Sequence, residues 1–124
     1  GVFFKAKNPK SLAMWYRETL GVPIEEWGGA FFMWNRLDTS NGAGTVWSPF
    51  SEETKYFAPS TKPFMINFVV DDLDAMLKQA AAGGAVVDEK ITDDDNGRFG
   101  WIMDPEGNRI ELWQPLCKPA ATAS

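Results

Sequence analysis

The stretch Trp101 to Pro115, WIMDPEGNRIELWQP, contains two alternating apolar runs separated by a turn. Its central residues 104–107, DPEG, are turn formers for separate reasons. Proline presets φ, glycine tolerates positive φ, and aspartate can bond the backbone just ahead of it. The two runs are therefore predicted to pair as a hairpin.

The strand after this turn carries one carboxylate among aromatic residues. Alternate side chains of a strand point to opposite faces, so Arg109, Glu111 and Trp113 share one face, and Ile110 and Leu112 share the other. We expect the apolar pair to face a layer of helices. The other three should face a cavity or solvent, which makes Glu111 the first candidate for a functional side chain.

The composition is that of an ordinary globular chain with an unusual aromatic content. The 124 residues are 44% hydrophobic and 23% charged, enough for one domain or for two small fused modules. Six tryptophans suggest a lined cavity, because a buried indole N–H needs a partner and tryptophan is a costly core filler. The net charge of -5 weighs against nucleic acid as a partner and suits a cationic small ligand.

Two residue counts exclude further classes of chemistry. The chain has no histidine, and so lacks the commonest general acid or base near neutral pH and the commonest transition-metal ligand. Cys117 is the single cysteine, so no intrachain disulfide can form. No apolar stretch approaches the length of a membrane span, and no secretory leader opens the sequence. We expect a cytoplasmic protein with no membrane partner.

The first half of the chain is predicted to contain one helix and four strands. Asn8 can cap a helix that begins at Pro9, and Gly21 suits the position just after its end. Leu12, Trp15, Tyr16 and Leu20 fall at helical spacing between them. The strands are predicted at residues 2–7, 22–27, 30–35 and 45–48.

The second half follows the same order after a polar connector. A strand over residues 64–70 precedes a helix that Asp71 or Asp72 can cap and that Gly83 and Gly84 end. A strand from Val86, an acidic turn and the hairpin complete the half. We expect the tail, residues 116–124, to be mobile.

The two halves form an internal repeat. Phe4 and Phe68 stand 64 positions apart, and Trp47 in TVWSP and Trp113 in ELWQP stand 66 apart. We therefore predict one domain built from two βαβββ modules, with two curved sheets that enclose a pocket. The boundaries are residues 1–50 for the first module, 51–63 for the connector and 64–115 for the second module.

Three motifs in this order resemble the vicinal-oxygen-chelate superfamily, which includes glyoxalase I, extradiol dioxygenases and bleomycin-resistance proteins. They are WYRETLG at residues 15–21, NFVVDDLDAM at 67–76 and DPEGNRIELW at 104–113. The resemblance implies an α+β fold in which paired βαβββ modules form a cupped, half-open barrel. It also implies a homodimer, which would cover sheet edges that are otherwise free to pair.

The resemblance also implies where a metal would bind. Metal-using members have four inward ligands, typically His, Glu, His and Glu, on the first and last strand of each module. Carried over by position, these fall near Gly1, Thr45, Met65 and Glu111, and only Glu111 matches. Glycine, threonine and methionine offer no donor set for Ni, Zn, Fe or Mn. We expect no metal and no cofactor.

Strand parity defines a candidate ligand-binding face. It contains Phe3, Lys5, Asn67, Val69, Glu111 and Trp113, with Trp47 on the matching strand of the first module and with Trp34, Trp101 and Met103 added by their distance from the turns. One interpretation is that these aromatic residues simply fill the barrel. The other is an aromatic pocket in which a few polar groups orient a ligand.

The role of Glu111 stays open at this point. It can be a relic of a metal site, a salt-bridge partner of Lys5, an anion that binds a ligand, or a general base. Three functions follow. The first is a metal-free protein that binds an aromatic or cationic small molecule. The second is a metal-independent lyase, isomerase or hydrolase that uses Glu111 as the catalytic base. The third is a metal-dependent glyoxalase-like enzyme.

Overall fold

The computed structural model describes residues 1–34 and 43–116. This part of the chain contains seven strands and two helices. In chain order they are β1 Val2–Ala6, α1 Pro9–Leu20, β2 Ala30–Met33, β3 Gly44–Ser51, β4 Phe64–Val69, α2 Leu73–Ala82, β5 Val86–Asp94, β6 Gly97–Met103 and β7 Arg109–Gln114. The strands form one mixed, open sheet in the order β2-β3-β1-β4-β7-β6-β5. The predicted α+β class is confirmed. The tail after Leu116 lies outside the described residues.

The repeat in the sequence corresponds to a repeat in strand pairing. β1 runs parallel to β3, and β4 runs parallel to β7. The two halves meet where β1 and β4 pair antiparallel, with Val2 opposite Ile66 and Phe4 opposite Phe64. The site described below lies across this junction, on the concave face of the sheet.

The predicted strand over residues 22–27 is wrong. Within the described residues, the backbone bonds of this segment are local, such as Ile24 N–H to Val22 O at 2.9 Å, and the segment ends in a turn in which Gly28 donates to Glu25 O. Pro23 has no N–H for a sheet ladder, and Gly28 takes a positive φ of 97°. The first half therefore contributes three strands to the sheet and the second half contributes four.

Both helices begin with the predicted caps. Asn8 Oδ1 accepts from Ser11 N at 3.1 Å, and Asp72 Oδ1 accepts from Ala75 N at 3.0 Å. The apolar face of α1 is only partly buried, because Trp15 is 51% exposed while Ala13 is buried against the sheet. The helix therefore rests on a narrow contact.

The sheet carries a separate core on each face. On the helix side, Leu73 and Leu77 of α2 pack with Leu112 and Ile110, which confirms the orientation predicted for that apolar pair. Gly100 lets α2 approach closely, since a Cβ there would lie 3.3 Å from the leucine methyl groups. The concave side has its own buried cluster of Phe3, Phe57, Met65 and Trp101.

Candidate functional site

The concave face of the sheet forms a cleft of about 840 Å³, here called the cup. Its walls come from both halves of the chain, from the connector between them and from the turn between β5 and β6. The lining residues are Phe3, Glu25, Trp27, Phe31, Met33, Val46, Phe50, Tyr56, Asn67, Thr92, Asp94, Asp95, Asn96, Phe99, Glu111, Trp113, Pro115 and Leu116.

Glu111 lies at the floor of the cup and is only 2% exposed. Its neighbour in the sheet is Asn67, opposite it in the parallel pair of β4 and β7. The amide Nδ2 of Asn67 donates to Glu111 Oε1 at 2.6 Å. The indole N–H of Trp101 donates to Oε2 at 3.1 Å, and the phenol of Tyr56 donates to the same oxygen. Three neutral donors therefore hold one buried carboxylate.

The guanidinium of Arg109 and the N-terminal ammonium of Gly1 act on this carboxylate only through longer-range electrostatic attraction. Among the described residues, no lysine or arginine side chain forms an ion pair with Glu111. Burial raises the pKa of Glu111 above its ordinary value of 4.5, and the hydrogen bonds from Tyr56, Asn67 and Trp101 oppose that rise. Burial and the nearby carboxylate also raise the pKa of Tyr56, so its phenol keeps its proton and remains a donor.

Arg109 holds the indole ring of Trp101 in place. The guanidinium of Arg109 lies 5.4 Å from the centre of the Trp101 ring, and Arg109 Nη1 donates to Asp88 at 3.4 Å. Arg109 is itself only 8% exposed. This arrangement limits rotation of the indole and keeps its N–H directed at Glu111.

Aromatic rings form the walls on either side of the carboxylate. The rings of Trp113 and Phe99 are parallel within 2° at 6.1 Å, and Phe31 meets Trp113 edge-on at 6.0 Å. Trp113 Nε1 donates to Asn96 O at 2.7 Å, which fixes the indole to the β5–β6 turn. On the opposite wall, Tyr56 stacks on Phe50 at 5.6 Å and 6°.

The lining carries negative charge only. It includes the carboxylates Glu25, Asp94, Asp95 and Glu111, and no lysine or arginine among the residues that the structure describes. Such a surface disfavours anionic ligands and raises the local concentration of cationic ones.

The structure places four of the predicted ligand-binding residues in the cup: Phe3, Asn67, Glu111 and Trp113. Trp101 supports Glu111 from the core and does not line the cleft. Trp34 lies elsewhere, with its indole N–H on Thr45 Oγ1 at 2.9 Å. Met103 is also outside the lining, at the far end of β6 opposite Arg109.

The prediction that Trp47 faces the cup is wrong. Its ring packs on Tyr16 of α1 at 4.7 Å and on Phe4 at 5.4 Å, on the helix side of the sheet. Val2 pairs with Trp47, and its repeat counterpart Ile66 pairs with Ile110. Trp47 therefore corresponds to Ile110, and the alignment of TVWSP with ELWQP was out of register by three residues.

The same register corrects the four positions at which relatives hold a metal. Phe3 and Asn67 are equivalent residues of β1 and β4, and their partners in β3 and β7 are Ser48 and Glu111. Thr45 shares the helix-side face of Trp47, and Met65 is fully buried in the concave core. One carboxylate beside phenylalanine, serine and an amide does not fit a transition metal. No group of three acidic, histidine or cysteine side chains able to hold a metal occurs in residues 1–34 and 43–116.

Several lining residues were not foreseen from the sequence, and Tyr56 is the most important. It belongs to the connector, a segment that the sequence identifies only by its polarity. Two adjacent aromatic residues, Tyr56 and Phe57, in a polar segment were the sequence signal that the connector packs against the sheet. Phe57 is 1% exposed and anchors the connector in the concave core. Phe31, Phe50 and Phe99 complete the aromatic walls.

Comparisons with known proteins agree with this architecture. A family model described as a glyoxalase-like domain matches residues 1–113. One similar structure is the NAD-dependent benzaldehyde dehydrogenase from Legionella pneumophila, with 21% identity, 92% of this chain and 96% of that chain covered, and a TM-score of 0.60. Another is a glyoxalase/bleomycin resistance protein/dioxygenase superfamily member from Vibrio splendidus 12B01, with 12% identity, coverage of 91% and 95%, and a TM-score of 0.55.

Identities this low show a shared fold and nothing further. No curated protein matches the chain in sequence. Neither of the helices in the described part of the chain is long and apolar enough to span a membrane.

Proposed function

This chain belongs to the glyoxalase-like domain family of the vicinal-oxygen-chelate superfamily, and we propose that it binds a planar aromatic small molecule in its cup without a metal ion. One observation carries the proposal: the cup combines aromatic walls with a floor carboxylate that three protein donors hold. In relatives that use a metal, the equivalent carboxylate binds the ion. Here its hydrogen bonds go to the protein itself.

The size and the lining of the cup support binding of a small molecule. A volume of about 840 Å³ lies within the range of ligand pockets, which are mostly apolar and contain a few placed polar groups. The half-exposed indole of Trp27 offers a flat surface for stacking, and Trp113, only 7% exposed, contributes to the aromatic wall. Asn67 and Glu111 supply the polar groups at the floor.

A metal-independent enzyme that uses Glu111 as a base is the second candidate, and the raised pKa of Glu111 favours it. Against it, Oε2 already accepts from both Tyr56 and Trp101. Donors to the charged form make a carboxylate a weaker base and restrict its approach to a substrate proton. These contacts suit a fixed anionic anchor better than a proton carrier.

A fluorescence titration tests the proposal, because Trp113 lines the cup. We expect 2-naphthylmethylammonium, a planar bicyclic probe, to change the tryptophan emission in a saturable manner. Trp113→Phe should weaken its affinity about two- to tenfold, since the smaller ring loses part of the stacking. Trp15→Phe is the matched control, on the exposed side of α1, and should leave the affinity unchanged. No saturable binding, or equal losses in both variants, would contradict the proposal.

The family resemblance also supports a homodimer as part of this proposal. β2 is an outer strand of the sheet, and its residues Phe32 and Met33 are 44% and 67% exposed. Exposed apolar strands at a sheet edge are prone to pair with another chain. Sedimentation equilibrium at tens of micromolar should give twice the mass of one chain, a range in which stable interfaces are occupied. A single-chain mass there would count against the dimer.

A further inference from the structure

Two acceptors at the floor of the cup have hydrogen-bonding capacity that the described residues do not fill. A carboxylate oxygen accepts about two hydrogen bonds, and Glu111 Oε1 receives one, from Asn67. The amide oxygen Asn67 Oδ1 is buried from water and has no partner among the described residues. Because Asn67 Nδ2 donates to Glu111, the orientation of the amide is fixed and Oδ1 cannot exchange places with Nδ2. Among the described residues, Asn67 Oδ1 therefore receives no donor, and Glu111 Oε1 receives one of the two that it can accept.

The charge of the lining also restricts which ligands can bind, independently of the hydrogen-bond acceptors. Four carboxylates and no basic side chain among the described lining residues favour a positive ligand. Glu111 is the most buried of them, while Asp94 at the end of β5 and Asp95 in the turn after it are exposed. A cation stacked on an indole is attracted by the ring as well as by the carboxylates.

We infer that the ligand of the cup is an aromatic cation whose charged nitrogen carries N–H bonds, such as a protonated amine, amidine or guanidine. This inference rests on the proposed binding function and names its ligand class. The nitrogen donates to Glu111 Oε1, the acceptor at the floor of the cup that has an unused lone pair. A quaternary ammonium balances the charge but donates nothing, so the second lone pair of Glu111 Oε1 stays unused. A neutral alcohol donates a hydrogen bond but leaves the carboxylate without a counter-charge.

Four probes that share one naphthalene ring separate these requirements. They are 2-naphthylmethylammonium, its N,N,N-trimethyl analogue, 2-naphthylmethanol and 2-naphthylacetate, each titrated into the wild-type chain by calorimetry. The primary ammonium should bind at least about tenfold more tightly than the trimethyl analogue and the alcohol, and the carboxylate should bind weakest.

The outcomes separate this inference from the proposed function. Equal affinities for all four probes would overturn the cationic ligand while leaving aromatic binding in the cup intact. Equal affinities for the two ammonium probes would overturn the need for N–H bonds. Binding of none of the probes would overturn the proposed function and this inference with it.

Two variants test which residues cause the preference for the primary over the trimethyl ammonium probe. Asn67→Leu removes the Nδ2 donor to Glu111 Oε1 and should raise the ratio between the primary and the trimethyl ammonium affinities, because only the primary ammonium can replace the lost hydrogen bond. Glu25→Gln is the matched control, because it removes a carboxylate of the lining that has no described bond to Asn67 or Glu111. It should weaken both ammonium probes by the same factor and leave their ratio unchanged. A ratio that Asn67→Leu does not alter would contradict the assignment, provided that circular dichroism shows the variant folded.

Discussion

Gly97→Ala is expected to destabilise the chain by roughly 3 kcal/mol or more, the combined size of backbone strain and overpacking. Gly97 opens β6 with a φ of 128°, which side chains other than glycine rarely adopt. A methyl group there would also overlap the carbonyl oxygen of Gln114 and approach Trp113 Nε1 to 3.0 Å. These are backbone and ring atoms held by the sheet, so they cannot move aside cheaply.

Gly84→Ala is the control for this variant. Gly84 also has a positive φ, 97°, but a Cβ there would meet nothing within 4 Å. It should cost only the backbone strain, about 1 to 2 kcal/mol. Urea unfolding of both variants measures the difference. Equal losses in the free energy of unfolding would show that the contact with the Gln114 carbonyl does not contribute to the destabilisation.

Local features of the fold were predictable because the sequence holds them within a few residues. Asp104 accepts from the backbone of Glu106 and Asn108 at 2.9 Å, so it shapes the hairpin turn as expected. The same alternation correctly placed Glu111 and Trp113 on the concave face and Leu112 on the helix face. Periodicity and turn chemistry are therefore sufficient to predict turns and strand faces, which depend on residues a few positions apart.

Relations between distant strands were not predictable in the same way. The even offset of 64 between Phe4 and Phe68 puts equivalent residues of β1 and β4 on one face, yet the likeness of TVWSP to ELWQP placed Trp47 on the wrong face. A strand has a period of two, so an error of three positions reverses every side chain. Two tryptophans in similar surroundings do not determine a register. Hydrogen bonding between strands does, and it depends on the whole sheet.

The contact between Tyr56 and Glu111 spans 55 positions of the chain. Nothing near Tyr56 in sequence indicates that its hydroxyl reaches the floor of the cup. Desolvation of Glu111 was foreseeable from its tryptophan neighbours, but the donors that offset it come from three separate elements. The chemistry of the site therefore emerges only when the modules and the connector are assembled.

Glu111→Gln is expected to weaken binding of 2-naphthylmethylammonium by about thirtyfold or more, because losing one partner of a buried charge pair costs 2 kcal/mol or more. The new amide is neutral, and its NH₂ group must face a donor, either Asn67 Nδ2 or the Tyr56 and Trp101 pair. Trp113→Phe should cost much less, about two- to tenfold. Titration of both variants with this probe measures the order, and a reversed order would indicate that stacking dominates over charge.

The pH dependence checks this explanation without any substitution. Since burial raises the pKa of Glu111 above 4.5, the carboxyl gains its proton while the ammonium probe stays charged. The affinity for the ammonium probe should therefore be highest at pH values well above the raised pKa of Glu111. It should fall as the pH drops through that pKa. Affinity for 2-naphthylmethanol should change little over the same range.

The stability of the ligand-free chain should respond to Glu111 in the opposite direction. A raised pKa means that the folded state binds this proton more tightly than the unfolded state, so the contribution of Glu111 to stability rises as the pH falls from neutrality toward 4.5. Asp88 has a lowered pKa, and its contribution is lost only at more acidic pH. Weaker ammonium binding with unchanged or greater stability as the pH falls from neutrality would identify protonation of Glu111 as the cause, whereas a parallel loss of both would point to unfolding.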